Sequence, residues 1–259
     1  MNRLLSILAP AVLICALLGG WEIACRALAV PTYVLPPPSA VAVAAAQNAP
    51  LLLASAWNTL SMALIALVVA SLVACGLALL VAPSLLLESA VRPIAVALQV
   101  TPVVAIAPQA VIWAGLDHPE RAVVGLAAIV AFFPIFSGAL TGLRSADPDL
   151  ERLFDLYGAT RAQRLFRLRL PSATPFLIEG HKVAAGLAIV GAVVAEFVAG
   201  SGSAQGLAWR ILEAANRLQI AKEFAAVFAL AIMGMMLQLV LRVGERRVLD
   251  HWRGPGRGR

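Results

Sequence analysis

The chain has 259 residues, is 61% hydrophobic and 13% charged, and has a mean hydropathy of +0.89; ordinary soluble domains carry about 25% charged residues, which excludes a water-soluble globule and indicates a polytopic membrane protein. The net charge of +6 would suit nucleic acid in a soluble chain, but in a membrane protein the placement of lysine and arginine reports orientation first. Cys15, Cys25 and Cys75 fall in or beside apolar runs without paired ligand spacing, so neither a disulfide framework nor a metal site is indicated.

A helix needs about 20 mainly apolar residues to cross a bilayer, and six stretches qualify. The first runs from Leu4 to about Ala29, with Trp21 suited to the interface and Glu22 and Arg26 spaced to pair at its outer end. Trp21 and Glu22 stand where a cleaved signal peptide would carry small residues, so the segment reads as a span. Pro31 and Pro36-Pro37-Pro38 break regular structure, and Ser39 is expected to cap a short surface helix ending near Asn48. The second span, Leu60 to Ala82, carries small residues (Ala63, Ala66, Ala70, Ser71, Ala74, Gly76) that permit close helix approach.

A turn from Pro83 to Arg92 leads into a third span, Pro93 to Leu116, holding Gln99, Thr101, Pro102, Pro108 and Gln109. Lipid cannot satisfy polar groups at membrane depth, so Gln99, Thr101 and Gln109 either line a polar path or bond neighbouring helices. Gly115 to Glu120 reads as an outer turn, and His118 beside two acids is a poor metal signal. The fourth span, Ala122 to Leu143, is expected to kink at Pro134, where the ring removes a ladder hydrogen bond.

The stretch Asp147 to Pro175, DPDLERLFDLYGATRAQRLFRLRLPSATP, is a polar and arginine-rich interruption. Asp147 suits an N-cap, Pro148 the first helical position, and Asp149 and Glu151 the positive helix end. Gly158 can adopt the left-handed conformation that stops a helix, and Thr160 with Gln163 forms a capping box for the next. Two short helices joined at a glycine are therefore predicted, the second ending at Leu170-Pro171. A fifth span, Phe176 to Ala199, has Glu179, His181 and Lys182 near one mouth. Glu196 lies about 21 Å further along it, either lining an outer vestibule or bonded to a neighbouring helix or the following turn.

Gly200 to Gly206 is glycine-rich but lacks the lysine of a phosphate loop. An outer helix is expected over Leu207 to Leu218, presenting Trp209 and Leu212 to the membrane and Arg210, Glu213 and Arg217 to water. The last span, Phe224 to Leu241, precedes a basic tail, residues 242–259, suited to anionic headgroups or left unstructured. No repeat or linker marks a second domain, so residues 1–259 are expected to form a single integral membrane domain.

Gly158 followed by Leu168, Arg169 and Leu170-Pro171 resembles the signature of permease subunits of binding-protein-dependent ABC importers. The likeness extends through Gly186 to Glu196 and Leu35 to Ser39 and is similar to the nitrate/sulfonate/taurine branch. One departure is Arg152-Leu153-Phe154, where that family often has Glu-Ala-Ala. The resemblance implies an all-α membrane protein of six transmembrane helices in the bacterial cytoplasmic (inner) membrane, with a cytoplasmic two-helix coupling loop, residues 144–175. With both termini inside, 15 of the 20 lysines and arginines fall on the cytoplasmic side, leaving Arg26, Arg121, Arg210, Arg217 and Lys222 outside.

The resemblance further implies docking to an ABC ATPase subunit through Asp155, Leu156, Gly158, Ala159, Thr160, Leu170 and Pro171. ATP and Mg would be handled by that partner, and this chain would hold no cofactor, catalytic residue or metal. An extracytoplasmic solute-binding protein would deliver the cargo, and a second permease copy would complete the membrane unit as a homodimer. Nitrate, sulfonates and taurine lead as cargo, although related permeases carry thiamine-precursor pyrimidines, riboflavin or aromatic acids. The competing classes are an ion-coupled secondary carrier using Glu196 and His181, an intramembrane enzyme, and a membrane scaffold.

Overall fold

The computed structural model describes residues 3–115, 117–199 and 205–253, and among these the regular structure is helical throughout. Helices α1 (Arg3–Ala27), α3 (Ala49–Val81), α6 (Pro119–Leu143), α9 (Leu170–Ala199) and α11 (Ile220–Arg253) form the long members. Between them lie α2 (Pro38–Gln47), α4 (Leu85–Val100), α5 (Val103–Ala114), α7 (Pro148–Leu156), α8 (Arg161–Arg164) and α10 (Leu207–Asn216). Five helical stretches are long and apolar enough to cross a bilayer, and the bent pair α4–α5 makes a sixth.

The centre of the bundle is the α6–α9 seam, with α3 against both. Glycine makes that seam possible. A Cβ at Gly138 or Gly142 on α6 would come within 2.8 Å of Phe176 O or Ala173 Cα, and one at Gly180 on α9 within 2.7 Å of Pro134 O. The two backbones therefore touch, which any larger residue at these positions would prevent. Helix α3 adds a stripe of buried alanines (Ala63, Ala66, Ala70, Ala74 and Ala78) at helical spacing. The core is small-residue packing, filled by Leu126, Ile135 and Phe136.

Helix α1 leans on the bundle through Trp21, whose ring lies 5.8 Å from Phe224 and 6.1 Å from Phe228 of α11. Many large apolar side chains on α1, α3, α4, α5 and α11 remain exposed, among them Leu17, Leu72, Ile94, Trp113 and Leu239. That is the surface expected where lipid, not water, is the solvent.

Four expectations need correction. The second span starts at Ala49, eleven residues before Leu60, because Pro50 sits in the first helical turn, where its missing N–H costs nothing. The third is not one helix: α4 starts at Leu85, capped by Ser84, and turns by 95° into α5. Thr101 and Pro102 are extended at that bend, as proline requires of its predecessor. Ser39 does not cap α2; it lies within the helix, and Glu22 accepts from its N–H at 3.0 Å and its hydroxyl at 2.8 Å. Glu22 also pairs with Arg26 at 2.6 Å, as the spacing implied.

The fourth correction matters most for function. Leu170-Pro171 does not end a short helix; Arg161 to Ala199 is one helical stretch of 39 residues. Residues Leu165–Arg169 form a π-helical turn in which the Leu170 N–H reaches Leu165 O. That extra residue shifts the ladder just before Pro171, where regular α geometry would drive the proline ring into a carbonyl four residues back. At the other terminus α11 continues to Arg253, so the first part of the basic tail is helical. The glycine-rich stretch 200–204 and the tail beyond Arg253 lie outside the described residues.

Candidate functional site

The interruption between α6 and α9 folds into an elbow. Helix α7 has nine residues, too few to be stable alone, and its sequence supplies what holds it. Asp147 accepts from the Asp149 N–H at 2.8 Å. At the other end Gly158 takes φ +65°, and the Gly158 and Ala159 N–H groups return to Asp155 O and Phe154 O at 3.0 and 2.9 Å. The Thr160 N–H then donates to Gln163 Oε1 at 2.8 Å while the Gln163 N–H donates to Thr160 Oγ1 at 3.3 Å, closing the anticipated capping box.

Ion pairs clamp α7 onto the start of the long helix. Glu151 receives Arg169 at 2.7 Å and Arg164 at 3.4 Å, and Asp155 also pairs with Arg164. Arg144, at the root of the elbow, pairs with Glu88 of α4 and donates to Ala82 O at 3.2 Å, while Ser145 Oγ donates to Gly142 O at 2.8 Å. A cavity of about 500 Å³ separates the elbow from the α3–α4 turn, lined in part by Pro83, Arg161, Arg164 and Arg169.

The tip is exposed and apolar. Leu156 and Tyr157 are 85% and 82% exposed, and Leu150, Leu153 and Phe166 are also open. Leu153, Phe154, Tyr157, Ala159, Gln163 and Arg167 line a groove of about 300 Å³. Asp155, Leu156, Gly158, Ala159 and Thr160 thus lie together, whereas Leu170 and Pro171 lie half-buried about 15 Å along the helix from Thr160. Tyr157 was not singled out from sequence, although Leu150, Leu153, Phe154 and Tyr157 fall at i, i+3, i+4 and i+7 and form one stripe.

At the far end of α9 the arrangement is buried. Glu196 is 1% exposed. Thr59 of α3 donates to Glu196 Oε1 at 2.7 Å and accepts from the Leu207 N–H at 2.9 Å. The Ala208 N–H donates to Glu196 Oε2 at 3.0 Å, and the Trp209 N–H is also directed at the carboxylate. The N-cap position of helix α10 is Gly206, which has no side chain to cap it, so the carboxylate of another helix does so. A Cβ on Gly206 would fall 2.2 Å from both carboxylate oxygens. Of the two roles open to Glu196 in the sequence, the structure displays the bonded one.

Gln99 and Thr101 stand at the α4–α5 bend and Gln109 two turns into α5. Thr101 Oγ1 donates to Ala97 O at 2.7 Å. Both glutamines are exposed, and among the described residues neither amide has a hydrogen-bond partner.

Sequence comparison matches residues 70–250 to the family described as the binding-protein-dependent transport system inner membrane component. The chain belongs to that family. It is the permease component of an ABC importer of small solutes, resident in the inner membrane. The permease is 31% identical to the formylaminopyrimidine transport permease protein of Halalkalibacterium halodurans over 254 residues, 98% of this chain and 99% of that one. It is 30% identical to the taurine transport system permease protein of Escherichia coli over 243 residues, covering 90% and 85% of the two chains. Over 166 residues, 64% and 60% of the two, it is 34% identical to the riboflavin transport system permease protein of Chloroflexus aurantiacus.

In the permease, α10 also departs from the expected surface helix. Arg210 turns inward, donating to Ser55 Oγ at 3.1 Å and Gln205 Oε1 at 2.9 Å and pairing with Glu213 at 2.8 Å. The helix ends at Asn216, two residues short of Leu218. His181, considered from sequence as a proton carrier, sits 2.8 Å from Ser71 Oγ and bonds Leu177 O at 2.7 Å. Lys182 beside it is paired with Glu179 at 2.8 Å and Glu245 at 3.0 Å.

Proposed function

We propose that the elbow is where this permease receives work from a separate ATPase subunit. Asp155, Leu156, Gly158, Ala159 and Thr160 form the docking tip, while Leu170 and Pro171 carry its motion into α9. The observation behind this reading is the unbroken helical path from Arg161 to Ala199. An exposed apolar tip at its root is a ready contact, and a helix clamped at both ends moves as a lever. ATP and Mg are bound by the partner, since no phosphate-loop sequence occurs in this chain.

The elbow then faces the cytoplasm together with both termini. A soluble binding protein meets the opposite face, and a second copy of this chain completes the membrane unit, the whole of residues 1–259 acting as one domain. The bent pair α4–α5 lines the path: the free amides of Gln99 and Gln109 and the break at Thr101 belong beside water or solute, because lipid would leave them unsatisfied. Glu196 closes the far end of that path from within the bundle.

The cargo is a small solute of the nitrate, sulfonate and taurine group. A second reading keeps the machinery and makes the cargo an aminopyrimidine; the near full-length likeness to a formylaminopyrimidine permease favours it. Mass spectrometry of the ligand retained by the cognate binding protein separates the two. For the machinery, the decisive experiment co-purifies the permease with its ATPase and measures uptake in vesicles. Leu156→Asp is expected to abolish ATPase retention and ATP-driven uptake. Uptake by the chain alone under a proton gradient, or labelling of an elbow cysteine from the binding-protein side, would overturn the proposal.

A further inference from the structure

The lever has a second end. Helix α9 begins in the elbow and finishes at Glu196, whose carboxylate holds together three separate helices: its own, α3 through Thr59, and α10 through the backbone of its first turn. Thr59 is itself buried and bridges to the Leu207 N–H, so no member of the cluster is bonded only to its own helix. No cation pairs with Glu196 among the described residues, and the nearby Arg210 is engaged by Glu213, Ser55 and Gln205.

Such a cap is sensitive to small displacements. A hydrogen bond weakens steeply once donor and acceptor leave the range of about 2.7–3.2 Å. A slide of α9 by about 1–2 Å, the scale on which packed helices shift, would therefore release α10 from its cap. The fit is tight, since a Cβ on Gly206 would fall 2.2 Å from both oxygens.

We infer that Glu196 is a positioning residue for transport: its carboxylate latches α10 and α3 to the far end of α9, so that movement of the elbow becomes movement of α10. This rests on the elbow reading above. It assigns to α10, on the side away from the ATPase, the role of the element that responds, and it gives Glu196 no contact with the solute.

The test uses the complete complex of permease, ATPase and binding protein in vesicles. Glu196→Gln keeps the size of the side chain but leaves a single accepting oxygen, so whichever way the amide turns, either the α10 N–H groups or the Thr59 hydroxyl loses its acceptor. The expected result is wild-type retention of the ATPase, with stimulation of ATP hydrolysis by loaded binding protein reduced about tenfold, within the usual range of allosteric coupling, and uptake reduced in parallel. Gly206→Ala, whose Cβ would fall 2.2 Å from both carboxylate oxygens, and Glu196→Asp, which keeps the charge but draws the carboxylate back from α10 and Thr59 by one methylene, are each expected to lose stimulation and uptake in the same way. A side chain serving only as a strut would alter yield without altering stimulation per assembled complex.

Wild-type stimulation in Glu196→Gln overturns the inference. If that variant does not assemble, Glu196→Asp decides: wild-type stimulation with the shortened acid overturns it. Uncoupling by Leu156→Asp with a normal Glu196→Gln removes the latch and keeps the elbow. Normal uptake in Leu156→Asp removes the elbow reading instead.

Discussion

The permease caps two helix starts in opposite ways at the two ends of one helical stretch. At the elbow, Thr160 and Gln163 satisfy each other within a single turn, in the open. At the far end α10 carries no cap of its own and borrows one from Glu196, with Thr59, remote in sequence, completing it in a buried pocket. A local, exposed cap can form whenever its own turn forms, whatever the neighbouring helices do. A remote, buried cap exists only while three helices hold their places. The exposed elbow is thus self-sufficient, and the end enclosed in the bundle is bound to its neighbours.

That contrast predicts unequal costs. Thr59→Val should be the most damaging, because it orphans the Leu207 N–H and removes a donor from a buried carboxylate; a loss of about 2–3 kcal/mol is expected in unfolding of the detergent-solubilised protein. A loss close to zero would mean that water replaces the hydroxyl and the far end is not sealed. Gly158→Ala should cost about 1 kcal/mol through its positive φ, with a larger effect on ATPase retention than on unfolding. Thr160→Ala should cost about 0.5–1 kcal/mol as an exposed N-cap, and an effect matching Thr59→Val would break the comparison. Asp155→Asn should change stability by only about 0.2–1 kcal/mol, as exposed pairs do.

The smallest effect is one of pH. In α10 the hydrogen bond from Arg210, with the charges of Arg210, Arg217 and Lys222, holds the Glu213 carboxyl below the usual carboxylate range. A depressed folded-state pKa stabilises the fold above the unfolded-state value, and that contribution is lost as pH falls through the folded value. Melting curves taken below about pH 4, near the ordinary glutamate value, should show a decline that Glu213→Gln flattens. A decline of the same size in the variant would assign it to other carboxylates.

Much of the elbow could be read directly. Asp147, Pro148, Gly158, Thr160 and Gln163 act within four residues of themselves, so spacing alone specifies their roles. Leu170-Pro171 misled for a tertiary reason: proline usually stops a helix, but a π turn shifts the register and α6 packs along the continuation through Gly142 and Ala173. The third span misled in the other direction. Its hydropathy is that of one crossing, and only the structure showed Thr101-Pro102 as a 95° corner.

Sequence by itself determined that this chain lives in a membrane, where its apolar runs fall, and how the elbow is stopped and restarted, because composition and local hydrogen bonding depend on neighbours along the chain. Tertiary structure decided what Glu196, Thr59 and Gly206 do. A carboxylate, a hydroxyl and a missing side chain from three separate segments have meaning only together, and nothing in their spacing says that packing will bring the Thr59 hydroxyl and the first turn of α10 onto Glu196.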